Sequence, residues 1–278
     1  MSARDGGAAS GAVEVRELHA VDDLEAAVRL FDAIWRPGPA GGPINVELLR
    51  ALAHSGNYVA GAFGGPRLIG ASVGFLAAPP GRALHSHVTG TTEPGGGCGL
   101  ALKHHQRTWA LRRGLTRITW TFDPLVRRNA YFNLVKLGAS LVEYHPAFYG
   151  VMQDSVNDGD ESDRALALWR LDAAPSGAAQ RPSDDAPERL LAAGDDGRPV
   201  LRTTDARTVL VELPPDVEAL RRTDRAAARS WRYALREVLG GLLADGARVS
   251  GFHDRRGYLV TRPTSPVPDP AEPRADRT

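Results

Sequence analysis

SHVTGTTEPGGGCGLALKHHQRTWALRRGLTRITWTFDPLVRRNAYFNLVKLGASLVEYHPAFYG, residues 86–150, carries the pattern that decides the fold. A strand ends near Val88, glycine-rich chain runs from Gly95 to Gly99, and a helix begins at once. Its apolar positions include Leu100, Leu102, Trp109 and Leu111, and Gly114 supplies its stop. Ile118–Phe122 reads as a strand rich in β-formers, Asn129–Leu137 as a short helix closed by Gly138, and Leu141–Tyr144 as a further strand. A strand, a glycine turn and a helix in succession make an anion cradle. Glycines let backbone N–H groups approach a ligand, and the helix N-terminus adds its partial positive charge. A pyrophosphate suits such a turn, and a plain flexible turn is the other reading. The GK[ST] ending of a phosphate-binding P-loop is absent, as is the GxGxxG spacing of a dinucleotide site.

Outward from this stretch, helices and strands alternate. Val13–Leu18 is a strand. Val21–Trp35 is an amphipathic helix through Leu24, Val28, Leu30, Phe31 and Ile34, with Asp22 or Asp23 as its cap. Val46–Ala53 is a second helix. Tyr58–Phe63 and Leu68–Ala77 form a hairpin turning at Gly64–Gly65–Pro66, His85–Gly90 is a strand, and Leu166–Leu171 closes the block. Residues 1–12 and 263–278 read as tails, and 173–198 as a linker or surface excursion. That leaves a block at 13–172 and a smaller one at 199–262. The second holds a strand at Thr208–Leu213, a long helix at Asp216–Ala244, and a hairpin from Val249–His253 and Gly257–Thr261. The expected class is α/β (α+β): a mixed sheet flanked by helices, with a C-terminal α/β extension packed on it that completes the sheet or the acceptor pocket.

Composition narrows the function. The 278 residues are 42% hydrophobic and 24% charged, as in a globular protein rather than a disordered one. With 34 basic against 33 acidic residues, the chain lacks the cationic excess that grips nucleic acid. One cysteine, Cys98, excludes an internal disulfide and a multi-thiolate metal site, and no metal is expected. No apolar run is long enough for a membrane span, and the first dozen residues lack a secretory core, so a cytoplasmic location is expected. Only Lys103 and Lys136 are lysines, so arginine abundance by itself says little about phosphate binding.

The order of these elements, the glycine turn, Asn129 opening a helix and Lys136–Leu137–Gly138–Ala139 ending it resemble the core of the GNAT acyltransferase superfamily. The resemblance implies a turn that binds the coenzyme A pyrophosphate, with Gly97 and Gly99 at the two glycine positions and Cys98 between them. It also implies a splayed strand admitting the pantetheine arm. Pro94 stands where the family has Arg or Gln, and Leu134 where many members have an acidic tyrosine; Tyr131 lies one turn earlier. Over residues 13–262, SHVTG, ITWTFDPL, RNAYFN, KLGA, the FYG of Phe148–Gly150 and the W-R-x-x-x-R of Trp231–Arg236 resemble a two-part subfamily linked to N-succinyl amino acid metabolism. That implies acyl transfer from acetyl-CoA or succinyl-CoA to the amine of a small molecule. The alternatives are a non-catalytic acyl-CoA-binding protein, or the same fold recruited to another thioester reaction.

Candidate residues follow. An attacking amine must lose a proton, and His85 and His87, two apart, share one strand face; His87 is the expected base, against a buried, hydrogen-bonded histidine. Tyr131 is a catalytic acid or a packing residue. Asp123 orients a substrate amine or caps the Pro124–Arg127 turn. Gly95, Gly96, Gly97, Cys98 and Gly99 hold the cofactor, and Asn129 bonds the pantetheine or caps its helix. His85 is a candidate for the acceptor pocket, and Tyr149, with Tyr144, His145 and Phe148, either lines that pocket or stitches its loop onto the core. Arg232 and Arg236, four apart, bind a carboxylate or form a solvated salt-bridged face. His104 and His105 read as a solvated pair. A homodimer is among the open oligomeric states.

Overall fold

Apolar residues at helical spacing around Leu24 and at alternating spacing around Val59 and Val73 set the first layers of a computed structural model of the chain, which describes residues 13–38, 41–92, 96–152, 154, 159–172 and 187–264. Two compact units emerge, residues 1–119 with 153–155, and residues 120–152 with 156–278. The division falls inside a strand, between Thr119 and Trp120, rather than in the 173–198 stretch.

In the first unit the strand order is β1 (Glu14–Glu17), β2 (Tyr58–Gly64), β3 (Arg67–Ala77), β4 (Ala83–Thr91) and β5 (Arg117–Phe122), of which Arg117–Thr119 belong here. Only β4 and β5 run parallel; the other pairs are antiparallel. Helices α1 (Val21–Trp35) and α2 (Val46–His54) bury Leu24, Phe31 and Leu49 against Val59, Val73 and Val88. Helix α3 (Cys98–Arg112) packs Cys98 and Leu102 with Ala62. Alternation along β3 serves both helix layers: Ala71 joins the α1 cluster, while a Cβ on Gly70 would fall 2.7 Å from the Cys98 sulfur. Neither Asp22 nor Asp23 caps α1. Its N-cap is Ala20, and the two acids sit in the first turn, where the helix dipole favours them; Asp23 also pairs with Arg16 at 2.8 Å. Asn45, unforeseen, caps α2 by accepting from the Leu48 N–H.

In the second unit the end of β5 is followed in its sheet by β7 (Arg164–Arg170) and β6 (Ser140–His145), an antiparallel pair. A separate five-stranded sheet has the order β11 (Arg248–His253), β12 (Gly257–Thr261), β10 (Thr208–Glu212), β8 (Glu188–Ala193) and β9 (Pro199–Leu201), with only β8–β10 parallel. The linker reading of 173–198 therefore fails from Glu188 onward. Glu188–Ala193 is an interior strand with Leu191 and Ala192 buried, while residues 173–186 lie outside the described set. The C-terminal strands thus build a sheet of their own.

Helix α4 (Arg127–Tyr131) continues through a π turn at Phe132–Lys136. The single long helix expected at 216–244 is broken into α5 (Val217–Thr223), α6 (Arg225–Leu235), a π turn at Arg236–Gly240 and α7 (Gly241–Ala244). Asp224 makes the break. It takes an extended backbone (φ −147°, ψ 86°) so that its carboxylate can accept from the Ala227 N–H and cap α6, an alternative that short polar side chains offer the backbone. Trp231, fully buried on α6, donates its indole N–H to the Gly197 carbonyl, and Tyr258 on β12 donates to the Pro124 carbonyl at 2.7 Å. Residues 120–172 draw partners from beyond residue 220, Tyr258 for Pro124 and Arg221 for Asp123. A chain ending at Leu171 should express poorly or melt without a cooperative transition; a soluble truncation with a sharp circular-dichroism melt would contradict this packing.

Candidate active site

Gly97 adopts a left-handed backbone (φ +75°) as the N-cap of α3, a conformation in which glycine carries no Cβ penalty. No atom lies within 4 Å of where a Cβ would sit on Gly96 or Gly97, and on Gly99 only the Thr91 methyl is met, at 4.0 Å. The first intrahelical bond runs from the Ala101 N–H to the Gly97 carbonyl, so the amides of the preceding turn have no partner within the helix. Gly95 and Pro94 lie outside the described residues. Cys98 starts α3, but its thiol is buried in the core and burial raises its pKa, so its side chain is packing rather than cradle.

The parallel β4–β5 ladder covers Ala83–His85 and Arg117–Thr119, whereas β4 runs on through Thr91. Register shifts on β4: Gly74 faces Ser86 and Val73 faces Val88, leaving His87 as the extra residue of a β-bulge. His85 and His87 both pack on the Phe75 ring, with centroids at 5.2 and 5.9 Å. His85 Nδ1 is 3.2 Å from the Thr119 hydroxyl, and burial, helped by His87 and Lys103, pushes its pKa down to about 4. Burial also lowers His87, partly offset by its hydrogen bond to the Pro43 backbone. A proline backbone can only accept, so one His87 ring nitrogen donates there and the other keeps its lone pair in the neutral ring.

The opposite face of β4 holds a group that the sequence reading missed. Lys103 on α3 is buried and donates to the Ser86 hydroxyl at 2.8 Å and to Gln106 Oε1 at 3.3 Å. Gln106 in turn donates to Ser72 at 3.4 Å, and Ser72 shares a hydrogen with Thr89 at 2.7 Å. Both hydroxyls flanking the His87 bulge are thereby held from α3. The one available signal was Lys103 and Gln106 at i and i+3 amid Leu102 and Trp109, on an inward helix face. His105 is half-buried rather than one of a solvated pair: its Nδ1 is 3.0 Å from the buried Tyr58 hydroxyl.

In the second unit, Asp123 does cap its turn, accepting from the Leu125 N–H at 2.9 Å. Its carboxylate is not available to a substrate amine. Arg232 grips it with two bonds of 2.9 Å, and Arg221 adds one of 2.5 Å. Burial would raise the Asp123 pKa, but Arg232, then Arg221 and Arg164, hold it far below the carboxylate range. Arg232, fully buried, also binds Asp160 at 2.9 Å, and Arg236 binds Asp163 and Glu161. Arg232 is not on a solvated face, Arg236 is a partly exposed salt-bridged residue, and the chain's own acids occupy both. The acids of the NDGDESDR run, 157–164, resemble an exposed loop by composition and hid this role.

Tyr131 does not meet Asp123 in the described contacts. Its phenol is hydrogen-bonded to Arg255, which lowers its pKa and stands 4.4 Å over the ring. Asn129 sits exposed inside α4, and the N-cap position is Val126, so Asn129 is not the cap. Tyr149 is 45% exposed, stacked edge-on against Phe148, with its hydroxyl 3.4 Å from Thr121. The fold therefore groups His85, His87 and the glycine turn along β4 and α3, and separately ties Asp123 to Arg232. Among the described residues no group of acids, histidines and cysteine could hold a metal ion, and no helix is long and apolar enough to cross a membrane.

No protein-family model and no curated protein sequence matches the chain. Among solved structures it is similar to a GNAT-family acetyltransferase from Streptococcus pneumoniae, at 13% identity over 56% of this chain and 98% of that one, TM-score 0.46. It is similar to an N-acetyltransferase from Staphylococcus aureus, at 11% identity over 58% and 99%, TM-score 0.45. It is also similar to an aminoglycoside 6′-N-acetyltransferase complexed with coenzyme A, at 14% identity over 58% and 99%, TM-score 0.45.

Lys103 gives a pH signature. Burial holds its pKa at about 7, below the ordinary 10.5, so between those values the unfolded chain binds a proton that the folded chain has released. Stability should rise with pH across that window and carry the full cost of the buried charge below it. In Lys103→Met this rise should flatten, as read by urea midpoints at pH 7 and pH 9.5; an unchanged slope would refute the assignment.

Proposed function

We propose that the chain binds an acyl-CoA at the turn between β4 and α3 and transfers its acyl group, acetyl or succinyl, to the amine of a small molecule. The observation that carries this reading is the open, left-handed glycine cap of a fifteen-residue helix directly after a strand that outruns its parallel neighbour. The residues fit the group. Amides of Gly97, Cys98 and Gly99 would hold the pyrophosphate, and β4 beyond His85 would offer backbone groups to the pantetheine amides. A bound acyl-CoA supplies the activated thioester.

The chain's own residues supply a base and its orientation. His87 stays neutral near pH 7 because burial disfavours its charged form, and its bond to Pro43 fixes which nitrogen accepts a proton. That nitrogen would take the proton of the attacking amine, directly or through water. Arg232 and Arg236 are committed to internal acids, so they do not favour a succinyl carboxylate over acetyl.

Non-catalytic acyl-CoA binding is the second reading. It is favoured by Leu134 at the acid position and by Tyr131 being engaged with Arg255. The acceptor, a cytoplasmic location and a homodimer belong to the proposal as well.

Gly99→Val places its side chain in open space, so the fold should survive while CoA affinity falls by at least about tenfold in calorimetry. Unchanged affinity would remove the turn from the site. His87→Ala should retain CoA binding, cut thiol release with a panel of amines by about 10²-fold or more, and flatten the acidic limb of the pH–rate profile. CoA binding without thiol release by the native chain would select the second reading.

A further inference from the structure

In the second unit the ends of three neighbouring strands place three arginines together. Arg248 on β11 and Thr208 on β10 both face Thr261 on β12, and the next residue outward, Arg262, donates its N–H to the Arg207 carbonyl. Arg207, Arg248 and Arg262 consequently line a cavity of about 630 Å³. Hydroxyls continue the row behind them: Thr208 and Thr261 are 3.1 Å apart, and Thr261 donates to Ser250 at 3.1 Å. Ser250 is itself the extra residue of a bulge between Val249 and Gly251, which turns it out of the simple strand alternation.

The positive charge of this cavity is not offset by its own lining. Arg221, Arg232 and Arg236 are neutralised by internal carboxylates, yet no acidic residue lines the cavity. Among the described residues no carboxylate pairs with Arg207, Arg248 or Arg262; Arg262 spends one nitrogen on the carbonyls of Thr204 and Ala206, which brace it without cancelling its charge. Three guanidiniums offer more charge and donors than a single carboxylate can use, whereas a phosphate presents about two negative charges and several acceptor oxygens. The volume is far larger than a bare ion and falls in the range of about 300–1,000 Å³ typical of small-molecule sites. Leu134, Ala139 and Val249 add apolar wall for an organic body.

We propose that this cavity binds a phosphorylated small molecule of mononucleotide size, its phosphate held by Arg207, Arg248 and Arg262. The proposal does not rest on the acyl-CoA reading.

The test is calorimetric titration of the full-length chain with adenosine monophosphate, inorganic pyrophosphate and citrate. Adenosine monophosphate should bind, pyrophosphate should compete with it, and citrate should not. Because Arg207 and Arg248 are exposed, Arg207→Ala/Arg248→Ala should leave the unliganded melting temperature unchanged and weaken nucleotide binding by at least about tenfold. Gly99→Val should leave that binding intact. Arg248→Gln alone, with a loss of several-fold, serves if the double variant misfolds. Failure of the native chain to bind adenosine monophosphate at millimolar concentration would overturn the proposal. So would citrate binding as tightly as the phosphates, or nucleotide binding that survives the arginine substitutions and disappears in Gly99→Val.

Discussion

A buried carboxylate has to be neutralised by partners, and Asp123 is the point on which the second unit turns. It lies at the end of β5, 8% exposed, with its turn-capping oxygen and its partner oxygen both engaged by guanidinium. Removing one member of such a set costs about 3–5 kcal/mol, because the charge left behind has no solvent to turn to. The arrangement does not maximise stability, since apolar residues of similar volume can do as well or better. What charge pairing adds is a requirement on geometry. Arg232 serves Asp123 and Asp160 only when α6 lies in one register, and Arg236, one turn later, repeats the demand with Asp163 and Glu161.

The first unit meets a related constraint at lower charge. Helix α3 presents Lys103 and Gln106 to the sheet where leucines would be ordinary, and β3 and β4 answer with Ser72, Ser86 and Thr89. A hydroxyl row paired with a polar helix face specifies how the helix seats on the sheet more sharply than interchangeable apolar contacts do. The bulge at His87 sits between two of the pinned hydroxyls, so the strand's irregularity and the helix's polar face form one feature.

Much of this was legible in the residues. Helical spacing from Leu24 to Ile34 and the strand pattern from Tyr58 to Ala77 led to elements with nearly the expected limits, because burial on one face writes a period into the sequence. The failures have physical causes. Glu188–Ala193 sits in Pro- and Asp-rich surroundings that mask a short interior strand, whose identity depends on pairing with distant β10. Asp224 breaks a helix whose apolar period runs on past it, since a cap is a local decision that periodicity does not record. In the site, the glycine turn was visible because backbone freedom is written in residue type. The commitment of Arg232 and Arg236 was not, because partners 72 to 109 positions away leave no local mark.

That separation bears on how the chain is made. The bond between Asp123 and Arg232 spans 109 positions, and that between Tyr258 and Pro124 spans 134. Synthesis proceeds from the N-terminus, so the segment around Asp123 emerges well before α6 exists to receive it. During that interval an ionised carboxylate with no guanidinium beside it resists burial, keeping the end of β5 wet and discouraging premature collapse. Closing so long a loop is slow. Arrival of Arg221 and Arg232 then supplies the countercharges that let the carboxylate be buried.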